Sequence, residues 1–364
     1  MATLKEIAEL SDVSITTVSR ILNNDTTLNV SNKTKEKVIE IANKLNYKTI
    51  GQRYKDRKAK KYKIGIAQMF ELEEQKKDIY YIMMKNVLEE VCLEKGIEVI
   101  SLFRNKDKNF IKINKKKLDG IFPIGRFTLE EIADFESYTR NIVFIDSSPD
   151  ELTYHSIIPN YQLGVRIALK HFLDKGHKDI GFIGSKYTFG NTKEWEIDSR
   201  YVYFKSFLEG HNLFNEKYIV ECEMNSKSGY NNIIKFLKNS KLPSAFFISS
   251  DAIASGILKA FSEKNIKIPE DVSIITFNDT PLSEFATPAL SSIRIFMREY
   301  ADAAIRLMEE LWEGEHGVKK VIMPCNLIER ESVKDKTIPK GAVKNKSQCD
   351  RASSKEDTVR ILIL

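Results

Sequence analysis

The chain of 364 residues is sparing with the side chains that carry redox and metal chemistry, having four cysteines and five histidines. Cys92, Cys222, Cys325 and Cys349 lie far apart and form no C-x-x-C pair, so they read as thiols in a reducing compartment rather than as a disulfide framework or a metal site. His155, His171, His177, His211 and His316 show no metal-ligand spacing. P-loop, G-x-S-x-G and H-E-x-x-H motifs are all missing, which removes the most recognisable phosphate-binding, acyl-transfer and zinc-hydrolase signatures. No apolar run approaches the roughly 18 residues of a membrane span, and the chain does not open on a basic-then-apolar leader. The expectation is a cytoplasmic protein with no membrane partner, no catalytic residue, no cofactor and no metal.

What is present is a basic head on an acidic body. Residues 1–63 hold fourteen Lys/Arg against seven Asp/Glu, and residues 331–364 hold eight against five. The formal charge of +6 therefore leaves −4 for the stretch between. Such an asymmetry fits a head that meets a polyanion and a body that does not. An apolar fraction of 42% is enough for a sizeable core, and the length suits two or three domains.

The head reads as three short helices. Thr3 and Glu6 form a T-x-x-E capping box for a helix over 4–11, with Leu4, Ile7 and Ala8 inward. Asp12 and Val13 make a turn. Ser14 caps a second helix over 15–22, whose inner side is Val18, Ile21 and Leu22, and Ser31 caps a third over about 33–45. The second helix has the form of a major-groove reader, and its N-terminal residues face base edges in such a docking. Ile15 can pack on a thymine methyl, Thr16 offers a hydroxyl and a methyl, and Arg20 can donate two hydrogen bonds to a guanine edge. Ser14, Thr17, Ser31 and Thr34 stand near helix starts, where hydroxyls and unpaired N–H groups bind phosphate. Residues 48–62 are polar, strongly basic and nearly free of aliphatics, so they read as a linker.

From Lys63 strands and helices alternate, first over 63–146 and again over 161–277. This pattern implies two doubly wound lobes with parallel sheets, with the default ligand site beyond the carboxyl ends of the strands. Asp251 reads as the cap of a helix beginning at Ala252, and the acids Glu194, Glu196 and Asp198 read as a solvated loop or helix start. Periodicity is lost after Val333. Residues 334–364 read as a disordered tail without a heptad series.

The strings Thr3-Leu4, Ile7-Ala8, Val13-Ser14, Thr17-Val18-Ser19-Arg20 and Asn23, continued by Val30-Ser31, Thr34, Val38, Ala42 and Leu45-Asn46-Tyr47, resemble the headpiece of the lactose-repressor (LacI/GalR) family. Body segments join them: Phe144-Ile145-Asp146, Gly176-His177, Ile180 to Gly184, Pro243 to Gly256, Ile268 to Ser273 and Pro288 to Ile293. The resemblance implies a multidomain chain: a helix-turn-helix headpiece over 1–47, a basic hinge over 48–62, and an effector-binding and dimerisation body over 63–333 with the periplasmic-binding-protein fold. Within the body, lobe one is expected over 63–159 and 291–333 and lobe two over 160–290. It implies a homodimer that represses a carbohydrate-utilisation operon from a pseudo-palindromic operator in double-stranded DNA, released or modulated by a galactoside-like sugar between the lobes. Thr3, Asn23 and Tyr47 join Ser14, Ile15, Thr16, Thr17, Arg20, Ser31 and Thr34 as the implied DNA-binding set. Asp146, Arg200, Met224, Ser250 and Asn278 are the implied effector-binding set, with Met224 standing where many members carry an aromatic face.

Two departures from the family pattern stand out. The hinge has Arg53 and Asp56 and no leucine between Leu45 and Leu72, so a leucine wedge in the minor groove is not expected. The pair Ile15-Thr16 replaces the better-known Tyr/Gln pair, so the family's operator sequence does not carry over. The competing readings are a cytoplasmic sugar binder or an enzyme of the same body fold without operator specificity.

Overall fold

The computed structural model describes residues 3–23, 25, 28, 30–45, 47, 49, 62–70, 78–104, 109–112, 117–185, 187–188, 196–315 and 317–338. The expected linker over 48–62 lies outside the described residues except at Thr49 and Tyr62, as do Asn46 and residues 339–364 of the expected tail. Contacts divide the chain into two units, with the boundary between Tyr62 and Lys63.

The first unit has three helices, α1 (Leu4–Ser11), α2 (Ile15–Leu22) and α3 (Asn32–Lys44). Each starts where a hydroxyl satisfies an otherwise unpaired N–H of its first turn. Thr3 and Glu6 form the reciprocal capping box, Ser14 accepts from the Thr17 N–H at 3.1 Å, and Ser31 accepts from the Thr34 N–H at 3.2 Å. Asp12, left-handed at φ 57°, turns the chain between α1 and α2. The small core is Ile7, Ala8, Val18, Ile21, Val38 and Ala42, with Val13 and Tyr47 packed against it.

The second unit carries two main sheets. The first has the order β14-β6-β5-β4-β1-β2-β3, built from β1 (Lys63–Gln68), β2 (Glu98–Arg104), β3 (Phe110–Lys112), β4 (Gly120–Ile124), β5 (Val143–Ile145), β6 (His155–Pro159) and β14 (Lys320–Met323). Its helices are α4 (Ile79–Glu94), α5 (Leu129–Tyr138) and, from the far end of the chain, α11 (Met297–Glu313). The second sheet has the order β10-β7-β11-β12-β13-β15, from β7 (Ile180–Gly184), β10 (Ile219–Glu221), β11 (Ala245–Ile248), β12 (Ser273–Asn278), β13 (Ser291–Ile295) and β15 (Cys325–Ile328). With it go α6 (Tyr161–Asp174), α7 (Ser199–Gly210), α8 (Ser226–Asn239), α9 (Asp251–Glu263) and the short α10 (Pro281–Glu284), and a two-stranded pair of β8 (Tyr187–Thr188) and β9 (Glu196–Ile197). Within the two main sheets strands pair in parallel except at two edges, where β3 runs against β2 and β15 against β13, and the β8–β9 pair is antiparallel.

Continuous apolar strands such as Ile180–Gly184 and Ala245–Ile248 are buried along their whole length, as parallel strands covered on both faces must be. Helices α8 and α9 approach so closely that a Cβ on Gly256 would stand 1.9 Å from the Ser226 carbonyl oxygen. Only glycine fits there.

Three expectations are revised. Residues 291–333 do not all belong to lobe one: β13 and β15 lie in the second sheet, while α11 and β14 return to the first. The chain thus passes between lobes three times, at 159–161, 295–297 and 323–325. Two of the passages are tied together, since the Asn160 N–H donates to the Met323 carbonyl at 2.8 Å. Asp251 is the first residue of α9 rather than its cap. The cap is Ser250, whose hydroxyl accepts from the Ala252 N–H at 3.1 Å. The start of the tail is ordered: Lys334 N–H donates to Ser273 Oγ and Lys336 N–H to the Lys175 carbonyl, both at 2.9 Å.

Candidate nucleic-acid interface and ligand cleft

On α2, burial of Val18 and Ile21 turns Ile15 and Thr16 outward, and Ile15 is 48% exposed. An exposed isoleucine at the start of a capped helix is what an apolar contact to a base edge requires. Ser14 and Thr17 exchange a hydroxyl hydrogen bond at 2.9 Å, and Ser31 and Thr34 repeat it at 2.8 Å. Two helix starts therefore present the same arrangement of hydroxyls and N–H groups. Thr3 spends its hydroxyl and its N–H on Glu6. Asn23 turns its amide back to the Ser19 carbonyl at 2.9 Å, and Tyr47 is anchored by its N–H to the Ala42 carbonyl at 2.8 Å. Arg20 stands one turn beyond Thr16, and its Nε donates to Asp25 at 2.7 Å.

In the body, the carboxyl ends of parallel strands gather the other candidates. Asp146 follows β5 with φ 67°, Ser250 follows β11, and Asn278 ends β12 with φ 100°. Asp146 accepts from the hydroxyls of Tyr81 at 2.9 Å and Tyr161 at 2.8 Å. Burial pushes its carboxyl above the usual range, against the pull of Tyr161, Arg126, Tyr81 and Arg200. Arg200, on the first turn of α7, is 8% exposed. It makes a forked pair with Asp198, Nε at 3.0 Å and Nη2 at 2.9 Å, while Nη1 donates to the Ser249 carbonyl at 2.6 Å. Burial works against the guanidinium charge, but Asp198, together with Tyr161 and Tyr81, more than offsets it and holds the group ionised. Its Cζ lies over the rings of Tyr161 (5.3 Å) and Phe277 (5.7 Å).

Tyr161 thus joins Asp146 of lobe one to Arg200 of lobe two. Ser249, through its carbonyl and a 3.6 Å contact from its hydroxyl to the sulfur, joins Arg200 to Met224. Met224 packs against the lobe-two core, so the residue serves packing as well as facing Ser249. Asn278 is buried beside Phe277, and among the described residues no side-chain hydrogen bond joins it to the other four candidates.

Sequence reasoning missed four groups. Asp78 caps α4 through the Tyr80 N–H at 3.0 Å and accepts from Ser250 Oγ at 3.4 Å, so one carboxylate touches the caps of two helices in different lobes. Burial raises it to about 7, with Asp251 and Asp146 adding to the rise and Tyr80 and Arg200 opposing it. Tyr81 and Tyr161 are the second and third. Asp198 is the fourth: it stands at a helix start as expected, capping α7, but it is 2% exposed rather than solvated, while Glu194 lies outside the described residues. The signal for it lay in its spacing, since an aspartate two residues before an arginine at a helix start can cap the helix and grip the guanidinium together. Gln68 Oε1 and the hydroxyls of Tyr80 and Tyr300 are buried without a hydrogen-bond partner among the described residues. A cavity of about 370 Å³ lined by Leu258, Phe261, Ile266, Ile268 and Pro288 includes none of the candidate residues. Among the described residues no helix is long and apolar enough to cross a membrane.

Comparison with known proteins bears on the fold and the family. The profile of bacterial regulatory proteins of the lacI family matches residues 3–49, and that of a periplasmic binding protein-like domain matches residues 169–333. The HTH-type transcriptional regulator GanR of Bacillus subtilis (strain 168) is 33% identical over 340 residues, spanning 92% of this chain and 100% of that protein. The HTH-type transcriptional repressor MelR of the same organism is 31% identical over 338 residues, spanning 91% and 97%. Among solved structures, the lac repressor dimer bound to operator and the anti-inducer ONPF superposes with a TM-score of 0.62 at 20% identity, over 92% of this chain and 99% of that one. The transcriptional regulator CelR in complex with cellobiose gives 0.63 at 16%, over 91% and 100%. A helix-turn-helix head, a two-lobed body and relatives that share both lead to one assignment: this chain belongs to the lacI family of bacterial regulatory proteins.

Proposed function

We propose that this protein is a cytoplasmic repressor that binds a pseudo-palindromic operator as a homodimer and answers to a neutral sugar, galactoside-like in its pattern of hydroxyls, held between the lobes of the body. The observation that carries the reading is the chain Asp146–Tyr161–Arg200–Asp198, which sets carboxylate, phenol and guanidinium groups side by side between the lobes. Carboxylate and guanidinium each make paired hydrogen bonds to vicinal hydroxyls. The unpartnered oxygens of Gln68, Tyr80 and Tyr300 supply further groups for a hydroxyl-rich ligand. Solved relatives hold cellobiose in one case and operator with ONPF in another, which supports both halves of the proposal.

Ile15, Thr16 and Arg20 read bases, while Ser14, Thr17, Ser31 and Thr34 hold phosphates. Thr3, Asn23 and Tyr47 complete the DNA-binding set, with Thr3 and the Asn23 amide also bonded within the head and Tyr47 held by its backbone N–H. Effector binding changes the lobe angle and so the operator affinity, by no more than the difference in its affinity for the two states.

The body acts by binding, without turnover. Both oxygens of Asp146 already accept from tyrosines, and Asp251 accepts from Thr276, Ser283 and the Thr280 N–H. Fluorescence anisotropy of the full-length protein on the duplex upstream of its own gene, titrated with a panel of galactosides, tests the proposal. Selective binding over random duplex, altered by at least one sugar, is expected. Absence of any sequence preference, with or without sugar, refutes it, and hydrolysis of an aryl galactoside refutes the binding-only role.

A further inference from the structure

Asp25 is clipped to Arg20 twice. Its carboxylate takes the Arg20 Nε–H at 2.7 Å, and its own backbone N–H donates to the Arg20 carbonyl at 3.0 Å. The second bond closes the chain back over the end of α2, where the Asn23 N–H also bonds to the Ser19 carbonyl. Backbone geometry thereby fixes where the carboxylate stands, and the carboxylate fixes the direction of the guanidinium. An aspartate beside a DNA-reading helix is otherwise a liability, because it faces a polyanion. Its position is explained if it acts on the arginine.

We propose that Asp25 is a specificity-determining positioning residue: it holds Arg20 so that the guanidinium meets a guanine edge. The proposal rests on the reading of α2 as the groove helix. Arginine carries much rotamer freedom, and a fork aligned before contact loses less of it on binding. The pair is half exposed in the protein, with side-chain accessibilities of 41% for Arg20 and 31% for Asp25, so as a surface ion pair it adds little to stability. Its value lies in direction. The same carboxylate also penalises binding to any duplex, whatever its sequence, and so sharpens the contrast between a site with the right guanine and one without it.

The test uses the full-length protein and a randomised duplex library, with enrichment read position by position and affinity for random-sequence duplex measured in parallel. Wild type, Arg20→Ala, Asp25→Asn, Asp25→Glu and the double variant Arg20→Ala/Asp25→Asn are compared. Arg20→Ala is expected to erase the preference at one G·C pair in each half-site. Asp25→Asn should weaken preference at that same pair by about five- to tenfold and leave other positions unchanged. It should bind random duplex as tightly as wild type or more tightly, since a negative charge is removed. Asp25→Glu should regain part of the preference, and Asp25→Asn should change no preference in the Arg20→Ala background. The proposal is overturned if Asp25→Asn keeps the wild-type preference at the Arg20-dependent pair, or if it loses preference equally at every position, as damage to the head would cause. If Arg20→Ala alters no position, the groove assignment itself fails, a result distinct from either.

Discussion

Asp78→Asn offers the sharpest physical test of the cleft. The Asp78 carboxyl is 2% exposed, bonded to the Tyr80 N–H and to Ser250 of the opposite lobe, and raised from 3.8 to about 7 by burial. A carboxyl raised in the folded state binds its proton more tightly there than in the unfolded chain. The stability this confers is therefore complete below the unfolded value and is lost as the pH rises through about 7. The slope is about 1.4 kcal/mol per pH unit between the two values, so wild type should lose about 3 kcal/mol between about pH 5 and about pH 8 from this group alone. Asparagine keeps the shape and has no charge to bury. Urea unfolding of both proteins, followed by tryptophan fluorescence, gives a wild-type-minus-variant difference in which all other titrating groups cancel. That difference should move in favour of the variant by about 3 kcal/mol across the range. A difference that stays constant with pH would show that Asp78 remains ionised throughout, and the account of a carboxylate buried between lobes would be refuted.

Arg200→Ala should leave Asp198 buried without its partner, cost the body about 3–5 kcal/mol, and abolish the response to sugar while operator binding persists; an anisotropy titration showing full response removes Arg200 from the site. Gly256→Ala should destabilise the body by about 1–3 kcal/mol or more, because the new Cβ has to displace the Ser226 carbonyl now 1.9 Å away, and an unchanged unfolding midpoint would contradict the packing. His177 is lowered to about 4, chiefly by burial, and its ring bonds to Ser244 and to the Lys334 carbonyl. Its contribution to stability is present above the usual histidine value and should disappear as the pH falls from about 6.5 towards 4, so a His177→Gln variant should show a flatter acid limb in the same urea assay.

The head was almost fully legible in the sequence because its structure is local. A hydroxyl before each helix, a three-to-four-residue apolar period and a two-residue turn sufficed to place α1 and α2 to the residue. The strand-and-helix alternation gave the two lobes for the same reason. What escaped depends on pairing across distance. Helix α11 is 17 residues long and has the small residues Ala301, Ala303 and Ala304 on its buried side, which blunts the apolar period. Short strands such as β6, β10 and β15 hold too few residues to show an alternation. In the site, Asp146 ends a family string and Arg200 stands at a family effector position, whereas Asp78, 68 positions before Asp146, corresponds to no such position, and only the fold brings it against Ser250. Asp251 was misplaced by one residue for a related reason: serine and aspartate are both good caps, and the partners that claim the aspartate, Thr276 and Ser283, are 25 and 32 positions away.

The three passages of backbone between the lobes carry a mechanical consequence. Two bodies tethered at one point can swivel freely, whereas three tethers side by side, two of them cross-linked at Asn160 and Met323, suppress sliding and torsion and leave bending as the soft coordinate. A small molecule wedged on one side of such a joint has a single displacement available to it, so ligands of different shape are translated into more or less of the same movement.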